Sequence, residues 1–270
     1  MGHTLVDGPH DPCEEIYIAS PSDIKVVDFI RHGEGFHNVA GNADPSAYRS
    51  WNFEDAHLTS KGWEQARQLG EELRSTAAYQ APDVVIVSPL TRALETAAGV
   101  YGIVRWTADS TTKPLMLPQA ESQTASEAHA VSLDGVPPVV ATELCREHLG
   151  LHPCDRRRPV EIIATRFPGV DFSQVASGED TMWDSEVRET EASLQQRGRE
   201  LIRYLVGRKE RRIAVVAHGG ILREALRHFG SRGLDHEVEQ GIHASFDNCE
   251  IRSLVVMTNG LAMQLKAGSQ

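Results

Sequence analysis

Apolar residues along this chain gather in two kinds of run. Ile24–Ile30, Val84–Val87, Val139–Ala141 and Arg212–Ala217 are short and rich in β-branched residues, which suits strands covered on both faces of a sheet. Between them, apolar positions recur at intervals of three and four, the spacing of one helix face. Trp63, Ala66, Leu69 and Leu73 follow Thr59 or Ser60, either of which can cap a helix. Leu90, Leu94, Ala97 and Ala98 follow Ser88-Pro89, with the proline expected in the first turn. Val160–Phe167 has helical spacing, a helix of about fifteen residues surrounds Leu194, Leu201, Ile202 and Leu205, and Ile221, Leu222, Ala225, Leu226 and Phe229 make another apolar face. Ile251–Met257 and Leu261–Leu265 flank Asn259-Gly260, a hairpin turn sequence. This alternation predicts an α/β fold: a three-layer α/β/α sandwich whose sheet is mainly parallel with an antiparallel edge, in a single domain over residues 1–270.

The pattern breaks in four places. Residues 1–22 read as a loosely ordered lead-in, with Ile16-Tyr17-Ile18 as a short edge strand. Residues 39–57 show no period and read as a loop over the site. Residues 105–138 hold four prolines and no apolar face, so an insertion or lid is expected there, with Trp183 as a further cover. The acid-rich stretch 177–192 reads as solvated.

Charge narrows the partners. A formal net charge of −11 argues against a nucleic-acid surface, though it says nothing about one local pocket. The four cysteines, Cys13, Cys145, Cys154 and Cys249, form no CxxC pair or zinc spacing, so no metal is expected from them. Free thiols, no apolar run approaching the roughly 18 residues of a membrane span, and no basic segment in the first 22 residues lead to the expectation of a cytoplasmic chain without a membrane partner. The sequence leaves the oligomeric state open.

Chemistry concentrates at predicted strand ends. Ligands of open α/β sheets bind beyond the carboxyl ends of the strands. There this chain places Arg31-His32-Gly33, Ser88-Pro89-Leu90-Thr91-Arg92 and His218-Gly219-Gly220. Glycine lets backbone N–H groups approach a ligand, and the helix opening at Gly219 turns its positive end toward an anion. Two arginines with two histidines at one rim describe a phosphate pocket, because the guanidinium fork matches phosphoryl oxygens.

Arg31-His32-Gly33-Glu34 with Asn38, Leu58-Thr59-Ser60-Lys61-Gly62 with Gln65-Ala66, Ser88-Pro89-Leu90 with Arg92-Ala93 and Glu95-Thr96-Ala97, and Val216-Ala217-His218-Gly219-Gly220 resemble, in order, four blocks of the histidine phosphatase superfamily, phosphoglycerate-mutase-like branch. The resemblance implies a phosphohistidine mechanism without metal or cofactor. His32 would attack phosphorus. Arg31, Arg92 and Asn38 would hold the phosphoryl oxygens, His218 would donate a further hydrogen bond, and Glu34 and Gly219 would position the substrate. A carboxylic acid after the third strand would protonate the leaving oxygen; Glu147 is the first candidate, and Glu143 stays open as the second because glycine follows Glu147 at three positions rather than the family's four.

Two departures direct the expected activity. Gly35-Phe36-His37 stands where phosphoglycerate mutases carry serine and tryptophan, and Val39-Ala40-Gly41-Asn42 replaces their segment that grips a small phosphoacid. The second arginine and the proline of the acid phosphatase and phytase branch are missing after Gly33. The block Leu144–Arg158 looks like that of plant and fungal phosphoglycerate-mutase-like proteins. The expectation is a phosphatase acting on a small phosphomonoester, with a phosphomutase as the nearest rival and a catalytically silent interaction protein as the third reading. Arg156, Arg157 and Arg158 are expected to pair with the acids of 179–191 or to extend the pocket to a second anion.

Overall fold

Strand β1, Ile24–Arg31, runs between two neighbours whose registers determine what meets at its end. A computed structural model describes residues 24–118, 129–227 and 236–257. The remaining strands of the main sheet are β2 (Val84–Val87), β5 (Val139–Thr142), β6 (Val170–Gln174), β7 (Arg212–Ala217) and β8 (Ile251–Met257); β3 (Pro114–Met116) and β4 (Val131–Ser132) form a separate pair. The main sheet has the order β6-β5-β2-β7-β1-β8. All its pairings are parallel except β1 with β8 at the edge. The predicted sandwich with its antiparallel edge is therefore present, and the edge strand pairs with β1 itself. The lead-in 1–22 and Leu261–Leu265 lie outside the described residues.

Helices α2 (Ser60–Ser75), α3 (Thr91–Tyr101) and α4 (Val160–Arg166) cover one face, where Trp63, Leu69, Leu94, Ala97 and Ile163 pack on Ile30, Val85, Val87 and Val216. On the other face, α5 (Glu191–Gly207), α6 (Gly219–Leu226) and α7 (His236–His243) bring Leu194, Leu201, Ile221, Leu222 and Ile242 onto Phe29, Ile86, Val215 and Ala217. Strands buried on both faces carry continuous apolar runs: every residue of β2 is buried.

The segment 39–57, expected as a loop, is instead largely helical. Helix α1 spans Phe36–Ala43, and two 3-10 turns follow at Pro45–Arg49 and Trp51–Phe53. Its buried side is made of His37, Asn38 and Gly41, which is polar enough to hide the period. Pro89 also lies outside its helix: α3 begins at Thr91, whose N–H donates to Asp55 Oδ1 (2.8 Å) and whose hydroxyl donates to Asp55 Oδ2 (2.6 Å). A distant aspartate, rather than Ser88, thus caps this helix. The described parts of 105–138 contribute β3 and β4 and pack near Gly102 and Gly169, away from the sheet's carboxyl edge.

Acidic stretch 177–192 is not simply solvated. Asp180 is buried against Arg146, and Glu189 Oε2 lies 2.5 Å from Arg197 Nη2. Their partners arrive from other segments, so local composition could not show the pairing. Arg157 Nε pairs with Glu143 Oε1 (2.9 Å) and its other nitrogens donate to Ala176, Gly178 and Arg158 carbonyls; Arg156 pairs with Glu54 (2.5 Å) and Glu179 (3.2 Å). Arg158 Nε stands 4.0 Å from Asp55.

Candidate active site

Register brings the two histidines together. Arg31 pairs with Ala217 across β1 and β7, so His32 and His218, the next residues, emerge side by side; their rings are 5.0 Å apart. Val87 pairs with Val216, which puts Ser88 beside the same point, and Arg92 follows in the first turn of α3. Gly33 and Gly62 meet at the start of α2, where a Cβ on Gly33 would stand 2.6 Å from the Gly62 carbonyl oxygen. Close approach of backbone to backbone therefore requires glycine here. Gly33 N donates to Thr96 Oγ1 (3.0 Å), and Glu95 accepts from Leu58 N (2.7 Å) and Arg166 (2.6 Å). Glu95 and Thr96 thus tie α3 to the loops on either side of it.

His32 is set up as a neutral imidazole. Its Nδ1 donates to its neighbour's carbonyl, Gly33 O (2.7 Å), which leaves the Nε2 lone pair facing outward, toward Arg92 Nε at 3.3 Å. Burial, then Arg92 and Arg31, hold its pKa well below the ordinary histidine value. Such a nitrogen can act as a nucleophile at neutral pH. His218 is fully buried; its Nε2 lies 2.7 Å from Ser88 Oγ, which itself accepts from Leu90 N (3.3 Å). The simplest proton assignment has Ser88 donating to Nε2, so that Nδ1, which has no partner among the described residues, carries the proton. Burial, then Arg92, also lowers the His218 pKa strongly.

A cleft of about 290 Å³ opens over His32. Arg31, Asn38, Arg92 and Glu147 line it, together with His37, Tyr48, His148, His152, Cys154, Asp155, Arg188, Gly220 and Arg223. Four arginines stand against two carboxylates in that lining, a local positive field within a chain of net charge −11. Arg31 donates through Nη1 to Phe246 O (2.6 Å), while its buried Nε has no partner among the described residues. Asn38 spends its oxygen on Gly35 N (3.0 Å), which leaves its amide N–H₂ for a ligand. Glu147 Oε2 accepts from Gly220 N (3.1 Å) at the first turn of α6 and Oε1 from His148 N (2.9 Å), holding a carboxyl at the cleft wall.

Of the sequence candidates, Arg31, His32, Asn38, Arg92 and Glu147 line this cleft, and His218 stands beside His32, its ring 5.0 Å away. Gly219 abuts Arg31, its hypothetical Cβ 3.6 Å from Arg31 Nε. Glu34 faces elsewhere: it accepts from Thr59 Oγ1 (2.9 Å) and Lys61 Nζ (2.9 Å), securing the start of α2. Glu143 is taken up by Arg146 and Arg157 outside the cleft. None of Arg156, Arg157 and Arg158 lines it, nor do Trp183 or the described residues of 105–138. His37, Tyr48, His152, Asp155, Arg188 and Arg223 were missed. His37 lay inside the motif and Arg223 one helical turn beyond Gly220, so both had a signal; Asp155 and Arg188 had none. A second cleft of about 350 Å³, lined mainly by Leu117, Pro118, Ile162, Ile163 and Phe167 with Arg158 and Arg166, contains none of the candidate catalytic residues.

Fold and site together define an α/β protein with paired histidines and arginines at the carboxyl edge of its sheet. Residues 27–116 and 142–267 match the model of the histidine phosphatase superfamily, branch 1, and the chain belongs to that family. The unmatched interval, 117–141, overlaps the insertion. A phosphoglycerate mutase-like protein of Arabidopsis thaliana is 41% identical over 237 residues, covering 87% of this chain and 86% of that one. Phosphoglycerate mutase-like protein 1 of the same plant is 40% identical, covering 88% and 83%. The solved ecdysone phosphate phosphatase of Bombix mori overlays with a TM-score of 0.49 at 16% identity, covering 85% of this chain and 88% of that one.

Proposed function

We propose that this protein hydrolyses a small phosphomonoester through a phosphohistidine on His32. The observation that carries the reading is the state of His32: Nδ1 bound to Gly33 O at 2.7 Å, which leaves Nε2 as the unprotonated nitrogen, facing Arg92 Nε at 3.3 Å, with Arg31 also lowering its pKa. In the first step His32 Nε2 attacks phosphorus and the bond to the leaving oxygen breaks. Arg31, Arg92 and the Asn38 amide receive the charge spreading over the phosphoryl oxygens, and His218 Nδ1–H adds a further donor. Each such preorganised donor is worth about 10²–10³ in rate. Glu147 in its acid form gives a proton to the leaving oxygen, then as carboxylate takes one from the water that attacks phosphohistidine in the second step. Its place in the same cleft as His32, and the engagement of Glu143 elsewhere, support Glu147 as the donor.

A second reading, transfer of the phosphoryl group to another hydroxyl, has one specific support: the Arabidopsis relatives at 40–41% identity are named phosphoglycerate mutase-like. Rapid inorganic phosphate release from p-nitrophenyl phosphate by the wild type, lost in His32→Ala, would establish hydrolysis. A long-lived phosphoenzyme that discharges only when an acceptor hydroxyl is added would establish transfer instead. Residence in the cytoplasm belongs to the same reading, supported by Cys145, Cys154 and Cys249 being buried free thiols.

A further inference from the structure

An aspartate in a phosphate cleft needs a physical reason, because it repels the group the cleft is built to hold. Asp155 is 3% exposed and lines the same wall as His32. Its Oδ1 accepts from Arg92 Nη2 (2.9 Å) and its Oδ2 from Arg188 Nη1 (3.0 Å). Arg92 is held at two further points: Nη1 donates to Cys154 O (2.5 Å) and Nε points at His32 Nε2 (3.3 Å). A guanidinium has five N–H groups. Three are thereby used, and one on each of Nη1 and Nη2 is left for phosphoryl oxygens.

The support behind Asp155 is itself rigid. Asp155 closes a 3-10 turn, Pro153–Asp155, whose N–H donates to His152 O (2.9 Å). Its carbonyl accepts from Arg146 Nη2 (2.7 Å), and Arg146 is buried against Asp180 and Glu143. Arg188 is anchored on Gly150 O (2.6 Å) as well as on Asp155. A buried hydrogen-bonded network of this kind confines a long side chain to few rotamers.

We infer that Asp155 is the positioning residue that aims Arg92 at the phosphoryl group on His32, at the cost of weaker ground-state binding of phosphate. The inference rests on the phosphatase reading of this cleft. The Asp155 carboxylate does not touch the reacting atoms; it acts through Arg92. Its removal therefore has two opposite effects. Arg92 loses its aim, and a misplacement of about 1 Å in such a site costs about a hundredfold in rate. The cleft also loses a negative charge next to the bound dianion, which tightens phosphate by about tenfold. A merely structural residue would do neither in a folded enzyme.

The test compares Asp155→Asn and Asp155→Glu with the wild type, using kcat and KM on p-nitrophenyl phosphate and the Kd of inorganic phosphate by calorimetry. Asp155→Asn is expected to lower kcat by about a hundredfold and to lower KM and the phosphate Kd together. Asp155→Glu keeps the charge but moves it, so kcat falls while the phosphate Kd does not tighten. An Asp155→Asn enzyme with unchanged kcat, or with unchanged or weaker phosphate binding, overturns the inference. If Asp155→Asn does not fold, Asp155→Glu decides alone: normal kcat or tighter phosphate overturns it. A wild type that turns over no phosphomonoester overturns the phosphatase reading instead, and phosphate binding, which needs no turnover, still judges Asp155.

Discussion

Acidification from pH 7.5 to 5.5 is expected to destabilise this fold steeply. His32, His37 and His218 are 2%, 4% and 0% exposed, and burial first, then Arg92, holds each pKa well below the ordinary histidine value. In the unfolded chain the same groups titrate near ~6.5. Below that point the unfolded chain takes up protons that the folded one refuses. Stability then rises with pH by about 1.4 kcal/mol per pH unit for each group. The contribution is fully present above the unfolded pKa and is lost as pH falls toward the folded value. One unit below, near pH ~5.5, three imidazoles have together withdrawn about 4 kcal/mol. A domain commonly has only about 5–15 kcal/mol to lose. Glu95, Asp180 and Glu189 are each opposed by burial, but Arg166, Arg146 and Arg197 hold them below the usual carboxylate values, so their contributions are lost only at lower pH. Urea unfolding at half-unit pH steps measures the effect, with the m-value checked for constancy. His37→Asn is expected to remove about a third of the slope. A stability that stays flat within about 1 kcal/mol over this interval would refute the reasoning.

The remaining predictions concern the proton donor, a close approach, and metals. Glu147→Gln is expected to slow hydrolysis of alkyl phosphates by about 10²–10⁴ while slowing p-nitrophenyl phosphate far less; equal losses on both would contradict its role. Glu143→Gln breaks the pairs with Arg146 and Arg157 and is expected to cost about 3 kcal/mol in denaturation, with the rate per folded molecule kept. In Gly62→Ala the new Cβ would run into the Glu34 carbonyl, so the denaturation midpoint should fall by the equivalent of about 2 kcal/mol or more. Turnover is expected to survive EDTA unchanged in a steady-state assay, and a strict metal requirement would contradict the mechanism.

Strand ends were readable because the strands themselves were. Val84–Val87 and, after Arg212, the rest of Arg212–Ala217 are apolar since both faces are covered, and each run stops where the chain leaves the sheet at a charged or polar group. Parallel register then did the rest: neighbouring strands that end together present Arg31, His32, Ser88 and His218 at one rim. What escaped the sequence depends on partners far along the chain. Helix α1 buries polar residues against the site, so its period carries no apolar signal. Asp180 and Glu189 looked like solvated acids until Arg146 and Arg197 met them. Asp155 and Arg188 are 33 residues apart and meet only in the folded chain, where they pair directly (3.0 Å) beside Arg92, with no local spacing to show it. Arg92 in the first turn of a helix would ordinarily face solvent, yet it is 1% exposed because Cys154 and Asp155 close over it.

Trapping the phosphoryl group tests the central claim most directly. Wild-type enzyme mixed with a 32P-labelled phosphomonoester and quenched in alkali within milliseconds should carry label, stable to alkali and released by acid, on the peptide that contains His32. His32→Ala should carry none and turn over nothing. A wild type that hydrolyses the ester with no label on that peptide, or a His32→Ala variant that keeps full activity, would contradict the phosphohistidine mechanism.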